Sequence, residues 1–130
     1  MILAVRTDSP NTFVGLYGTD GELIEQDTWR ADRTLARDLL AHIDTLLRRT
    51  SASWKDVDGI VAYRGPGSFT GLRIGLTVAN TVAYARSCPI VGEREDDWIS
   101  HGLARLRSNE NDGSVMPLYD APPRITSPRS

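Results

Sequence analysis

The chain has 130 residues, the length of one domain, with 40 % hydrophobic and 25 % charged residues and a net charge of −2, which is the profile of a globular protein with one modest core. That balance excludes a global basic field for nucleic acid. The single cysteine, Cys88, excludes an internal disulfide and fits a reducing cytoplasm, and no stretch reaches the ~18 apolar residues of a membrane span.

The N-terminus, MILAVRTD, has no basic segment followed by a long apolar one, so it reads as a strand rather than a signal peptide. Met1 to Val5 is a nearly continuous apolar run, as in a buried central strand. After a polar break, Thr12 to Tyr17 is a second strand. Gly18-Thr19-Asp20-Gly21 is a hairpin turn, and Glu22 to Trp29 is a third strand. Thr34 to Arg49 is the clearest helix, with Leu35, Leu39, Leu40, Ile43, Leu46 and Leu47 forming one broad stripe. Asp32 or Thr34 caps its start, and Arg48 and Arg49 suit the negative end of its dipole. Val57 to Tyr63 is a further buried strand. Thr70 to Arg86 is a second helix, stopped by Pro89, and Ile90-Val91 a short parallel strand. Cys88 reads as a small core residue. Beyond Gly92, Glu93 to Asp97 is a solvated charge run, and Trp98, Ile99, Leu103 and Leu106 suit one short helix. Val115 to Tyr119 is a strand or packed extended segment, and Ala121 to Ser130 a mobile tail. The order β-β-β-α-β-α-β indicates an α/β fold with a mixed sheet.

Between the fourth strand and the second helix lies GPGSFTGLRIG, residues 65–75. A glycine-rich turn opening a helix is the right context for an anion, because free N–H groups and a positive dipole end point out of it. Gly65, Gly67, Ser68, Thr70 and Gly71 are the candidate anion or nucleotide loop, for ATP or ADP. The segment matches neither a Walker A loop, since no lysine follows, nor the dinucleotide fingerprint. On composition it reads first as a tight turn that aims a helix and second as a phosphate site. Gly71, Gly75, Ala79 and Ala83 then recur every four residues. Glycine inside a helix costs ~1 kcal/mol relative to alanine, so the stripe signals close approach by another element, either the chain's own sheet and first helix or a helix of another chain. Neither His42 nor His101 has a partner at ligand spacing, and there is no nucleophile elbow, so no metal site and no Ser-His-Asp triad is expected. Trp29, Trp54 and Trp98 are core or interface anchors, Trp98 being the one expected at an interface beside the charge run.

GPGSFTGLRIG with the following LTVANTVAYARSCPIVG, the preceding WKDVDGIVAYR and the hairpin ILAVRTDSPNTFVGLYGTDGELI closely resemble the TsaB (YeaZ) family, over about residues 1 to 92. The resemblance implies an actin-like (ASKHA, ribonuclease H-like) half-domain and cytoplasmic work in tRNA threonylcarbamoyladenosine synthesis. There a TsaD-type subunit transfers the threonylcarbamoyl group to the adenosine beside the anticodon, and a TsaE-type ATPase belongs to the complex. It implies a non-catalytic scaffold that pairs with TsaD, or with a second copy of itself as a homodimer, through its two helices, and meets tRNA only indirectly. Carried onto this chain, the interface residues are Leu35, Leu39, Ile43, Leu46, Gly71, Leu72, Gly75, Leu76, Ala79, Val82 and Ala83. Two departures stand out. Where the family has Asp-Thr-Ser, this chain has Arg6-Thr7-Asp8; a guanidinium cannot ligate a metal, so Arg6 is expected to pair with a phosphate or with Asp8. Residues 93–130 are expected to be a short charged extension in place of the family's second half-domain, which leaves the glycine loop without an opposing wall and favours the helix-aiming turn.

Overall fold

In the computed structural model, residues 1–31, 33–67 and 69–118 are described. The expected tail, Ala121 to Ser130, and Ser68 of the candidate loop lie outside them. Five strands, β1 (Ile2–Arg6), β2 (Asn11–Tyr17), β3 (Leu23–Arg30), β4 (Gly59–Tyr63) and β5 (Ile90–Glu93), form one sheet in the order β3-β2-β1-β4-β5. The first three pair antiparallel, while β4 lies parallel to β1 and β5 parallel to β4. Among the described residues, three α-helices, α1 (Leu35–Arg49), α2 (Phe69–Arg86) and α3 (Trp98–Arg107), and one short 3-10 turn (Trp54–Asp56) accompany the sheet.

The side-chain period of two assigns each residue a face. Leu3, Val5, Val14, Leu16, Ile60, Ala62 and Ile90 join the buried residues of α1 and α2 in one core. Ile2, Ala4, Tyr17, Val61, Tyr63 and Val91 join Trp98 and Leu103 of α3 in a second core on the other face. Central strands covered on both sides explain why β1 and β4 read as unbroken apolar runs. Trp98, expected at an interface, is instead buried: its ring stands edge-on to Phe13 and Tyr63 at 6.0 and 5.7 Å. The charge run ahead of it hid that role.

The expected hairpin turn forms, with Gly21 at φ 90° and its N–H donating to the Gly18 carbonyl at 2.9 Å. Thr34 caps α1 in place, but its hydroxyl donates to Asp38 (2.6 Å) rather than accepting a backbone N–H. The segment after α3 is extended and packed, not a strand. Its Asn111 and Asp112 side chains accept from the N–H groups of Ile90 (3.1 Å) and Gly92 (2.8 Å), and the Asp112 N–H donates to the Ile90 carbonyl. The outer edge of β5 is thereby paired, which removes a template for edge-to-edge association.

Candidate functional site

The glycine loop lies at the C-terminal end of the sheet, against the residues that leave β1. Thr7, 2 % exposed, donates its hydroxyl to the Gly71 carbonyl at 2.8 Å. A Cβ on Gly75 would overlap Thr7 Oγ1, and one on Gly71 would sit 2.8 Å from the Thr7 carbonyl oxygen. A Cβ on Gly67 would overlap Asp8, and one on Gly65, at φ 110°, the carbonyl of Leu118. Each glycine therefore marks a place where this chain's own backbone or side chain comes too close for any other residue. The loop and the first turns of α2 are pressed onto Thr7-Asp8.

Arg6 takes the second of its expected partners. Its Nε and Nη2 donate to the two Asp8 carboxylate oxygens at 2.8 and 3.1 Å, and its guanidinium lies 3.8 Å over the Tyr63 ring. The hydrogen bond to Asp8 holds the Arg6 pKa above its ordinary value against the opposing effect of burial. The same burial raises the Tyr63 hydroxyl. A crevice between Ser9, Pro10, Thr70 and Gly71 has a volume of ≈ 170 Å³, below the ~300–1,000 Å³ of typical small-molecule pockets.

The side chains expected at a partner interface lie inside this chain. Leu35, Leu39, Ile43, Leu46, Leu72, Leu76, Ala79, Val82 and Ala83 are at most 7 % exposed and pack between the helices and the sheet. Gly71 and Gly75 are occupied by Thr7. Gly71 and Gly75 thus meet the chain's own β1 end, and Ala79 and Ala83 pack into the core between the helices and the sheet. What the helix pair presents outward is a different set. A groove of ≈ 330 Å³ runs between the helices, lined by Ala36, Thr70, Arg73, Ile74, Thr77 and Val78. Leu40 stands exposed one turn beyond Ala36 (44 %), whereas Tyr84, 88 % exposed, lies away from the groove beside Ser87, Cys88 and Asn111.

Residues 110–118 strap the opposite flank. The Asn80 amide donates to the Val115 carbonyl (3.0 Å) and accepts from its N–H (2.9 Å), so α2 holds the strap as a neighbouring strand would. Arg64 reaches the Met116 carbonyl (3.1 Å), and the Leu118 N–H donates to the Arg64 carbonyl (2.7 Å). Arg105 of α3 binds Glu93 and Glu110, each at 2.8 Å, and Asp112, and its hydrogen bonds to Asp112, Glu93 and Glu110 hold the Arg105 pKa above its ordinary value. Glu93, expected in a solvated run, is therefore bound, while Arg94 to Asp97 are exposed.

Sequence reasoning missed one cluster. His42 Nδ1 lies 2.6 Å from Asp27 Oδ2, and its ring stacks on Trp29 at 3.6 Å with a 6° tilt. Alternation along β3 places Glu25, Asp27 and Trp29 on the helix-facing side, which is the available signal. Only the docking of α1 on the sheet decides that His42 meets them. Cys88 packs half-buried against the core, and burial raises its thiol pKa.

This is the ribonuclease H-like α/β domain from which actin-like proteins are built: three antiparallel strands leading a parallel pair, with helices on both faces and a glycine turn at the β4–α2 junction. Residues 29–121 match the family model of TsaD, tRNA N6-adenosine threonylcarbamoyltransferase. The chain is 31 % identical over 122 residues to the tRNA threonylcarbamoyladenosine biosynthesis protein TsaB of Bacillus subtilis (strain 168), covering 92 % of this chain and 50 % of that protein. It is 36 % identical over 91 residues to the TsaB of Haemophilus influenzae, covering 70 % and 37 %. YeaZ from Pseudomonas aeruginosa superposes with a TM-score of 0.63 at 29 % identity, over 72 % of this chain and 43 % of that one. The chain belongs to the TsaB/YeaZ family, and it spans half or less of the length of these relatives.

Proposed function

We propose that this chain is a non-catalytic subunit in tRNA threonylcarbamoyladenosine synthesis, pairing in the cytoplasm with a TsaD-type subunit and supporting its transfer of the threonylcarbamoyl group. The observation that carries the reading is the closed contact between the glycine loop and Thr7-Asp8. The element an actin-like ATPase would turn to phosphate is here spent on packing. Asp8 adds a carboxylate where a phosphate would have to sit, and Arg6 is engaged by that carboxylate. Pairing would use the outward face of α1 and α2, around Ala36, Leu40, Ile74 and Thr77. The test is size-exclusion chromatography with light scattering on this chain mixed with the TsaD-type subunit of the same genome, beside a threonylcarbamoyl-transfer assay. A stable heterodimer with raised transfer activity supports the reading. Calorimetric binding of ATP or ADP by this chain alone, abolished by Gly67→Val, would overturn it in favour of a nucleotide-binding role.

A further inference from the structure

A sheet offers unpaired main-chain groups along its two outer strands, and this chain closes them in different ways. On β5 the side-chain oxygens of Asn111 and Asp112 accept the outward N–H groups of Ile90 and Gly92. β3 is the other edge, and among the described residues no strand pairs with its outer side. Its outward groups follow from the alternation of an antiparallel ladder. The Ala31 N–H turns inward to the Pro10 carbonyl (2.8 Å), so the N–H groups of Gln26, Thr28 and Arg30 turn outward. A register shift at Leu16 and Tyr17 ends the regular ladder on the hairpin side, which leaves Gln26 to Arg30 as the pairable stretch. One of its three outward donors is already taken. Glu25 Oε1 accepts the Gln26 N–H at 3.1 Å, and Glu25 Oε2 lies 3.7 Å from Arg49 Nη1, so α1 braces the carboxylate that caps the strand.

We infer that β3 is a strand-pairing edge for a second copy of this chain, and that Glu25 is the latch that keeps it closed. Two copies related by a two-fold axis bring β3 antiparallel to itself. The register centred on Thr28 overlaps the whole stretch, pairing Gln26 with Arg30 and Thr28 with its own copy. It opposes no like charges, and it sets Asp27 of each copy opposite Trp29 of the other. The buried Trp29 Nε1–H has no acceptor among the described residues, and Asp27 Oδ1 is the oxygen not held by His42. This self-complementarity singles out the second copy as the occupant. The register requires the Gln26 N–H, which Glu25 holds. Centring on Asp27 requires it too and sets Asp27 against its own copy, while centring on Trp29 avoids it but leaves only Thr28 and Arg30 to pair. Because β5 is covered, addition through β3 stops at two copies.

The test is light scattering at roughly 200 μM on the parent and on Glu25→Thr, which removes the cap and keeps strand propensity. Glu25→Thr is expected to raise the mass about twofold over the parent's own. Glu22→Thr removes the same charge from the hairpin turn and is expected to leave the mass unchanged. Thr28→Pro added to Glu25→Thr deletes an outward donor and no bond to β2, and is expected to return the mass to the parent's. An unchanged mass in Glu25→Thr, an equal rise in Glu22→Thr, or a rise that a folded Thr28→Pro double variant retains overturns the inference. If the proline variant unfolds, hydrogen exchange in Glu25→Thr decides. Thr28 and Arg30 amides slowed at least about tenfold between roughly 10 and 500 μM uphold the inference, and unchanged exchange overturns it.

Discussion

Replacing Gly75 by alanine adds a single methyl group to the middle of α2, and by helix propensity alone it should stabilise the helix by ~1 kcal/mol. The structure predicts the opposite sign. The new Cβ would overlap Thr7 Oγ1 and stand 2.6 and 2.8 Å from Thr7 Cγ2 and Cβ, so no rotamer of Thr7 clears it. Thr7 is buried and held by its hydrogen bond to Gly71. Forcing a methyl into such packing costs about 1–3 kcal/mol, and the broken hydrogen bond about 1 kcal/mol more. Set against the propensity gain, Gly75→Ala is expected to destabilise by about 2 kcal/mol. In urea that is a midpoint lowered by about 1 M at unchanged slope, for a slope near 2 kcal/mol/M. Thr7→Ala removes two of the three clashing atoms, so the double variant should recover most of the loss, leaving a coupling of about 1 kcal/mol or more. If Gly75→Ala is as stable as the parent or more so, Gly75 is not there for Thr7, and the small-residue stripe returns to being a surface open to another chain.

Asn80→Ala removes both hydrogen bonds that hold Val115 and should cost about 1–3 kcal/mol, with hydrogen exchange at the Val115 amide accelerated well beyond that of the β4 amides. Burial opposes the charged form of Asp112, but the hydrogen bonds from Arg105 and the Gly92 N–H outweigh it and hold its carboxyl below the ordinary value. A carboxyl depressed in the folded state contributes stability that is complete above its unfolded pKa, about 4, and is lost as pH falls through the folded value. Asp112→Asn should therefore flatten the acid limb of a urea-midpoint-against-pH curve below about pH 4 and lower stability at neutral pH. His42→Phe keeps a ring on Trp29 but loses Asp27, and should cost about 1 kcal/mol at most, whereas His42→Ala should cost more by unstacking Trp29, read by its fluorescence during unfolding.

The strand and helix order was legible because each element carries its period openly. MILAV and GIVAY are unbroken apolar runs, α1 shows one clean stripe, and Asp-Gly marks the hairpin. The candidate site was legible in position but not in use. A glycine every fourth residue states that something approaches α2 closely, yet residues 71–83 say nothing about what. Thr7 lies 64 positions from Gly71, and only the parallel pairing of β1 with β4 brings the end of one strand beneath the helix that follows the other. Likewise, Asp27 and His42 are 15 residues apart on elements of different period, so no single-element pattern joins them. Trp98 was read outward because its neighbours in sequence are charged, whereas its neighbours in space are Phe13 and Tyr63.

By itself the sequence determined which segments are strands and helices, which faces are apolar, and that something approaches the first turns of α2 closely, because propensity and periodicity act between near neighbours along the chain. Tertiary structure alone decided that Thr7 and Asp8 fill the β4–α2 junction, that Arg6 pairs with Asp8, and that the small residues of α2 face inward and leave a largely apolar groove between the helices outside. Those outcomes depend on contacts between residues far apart in the chain, and such contacts exist only once the sheet order brings the elements together.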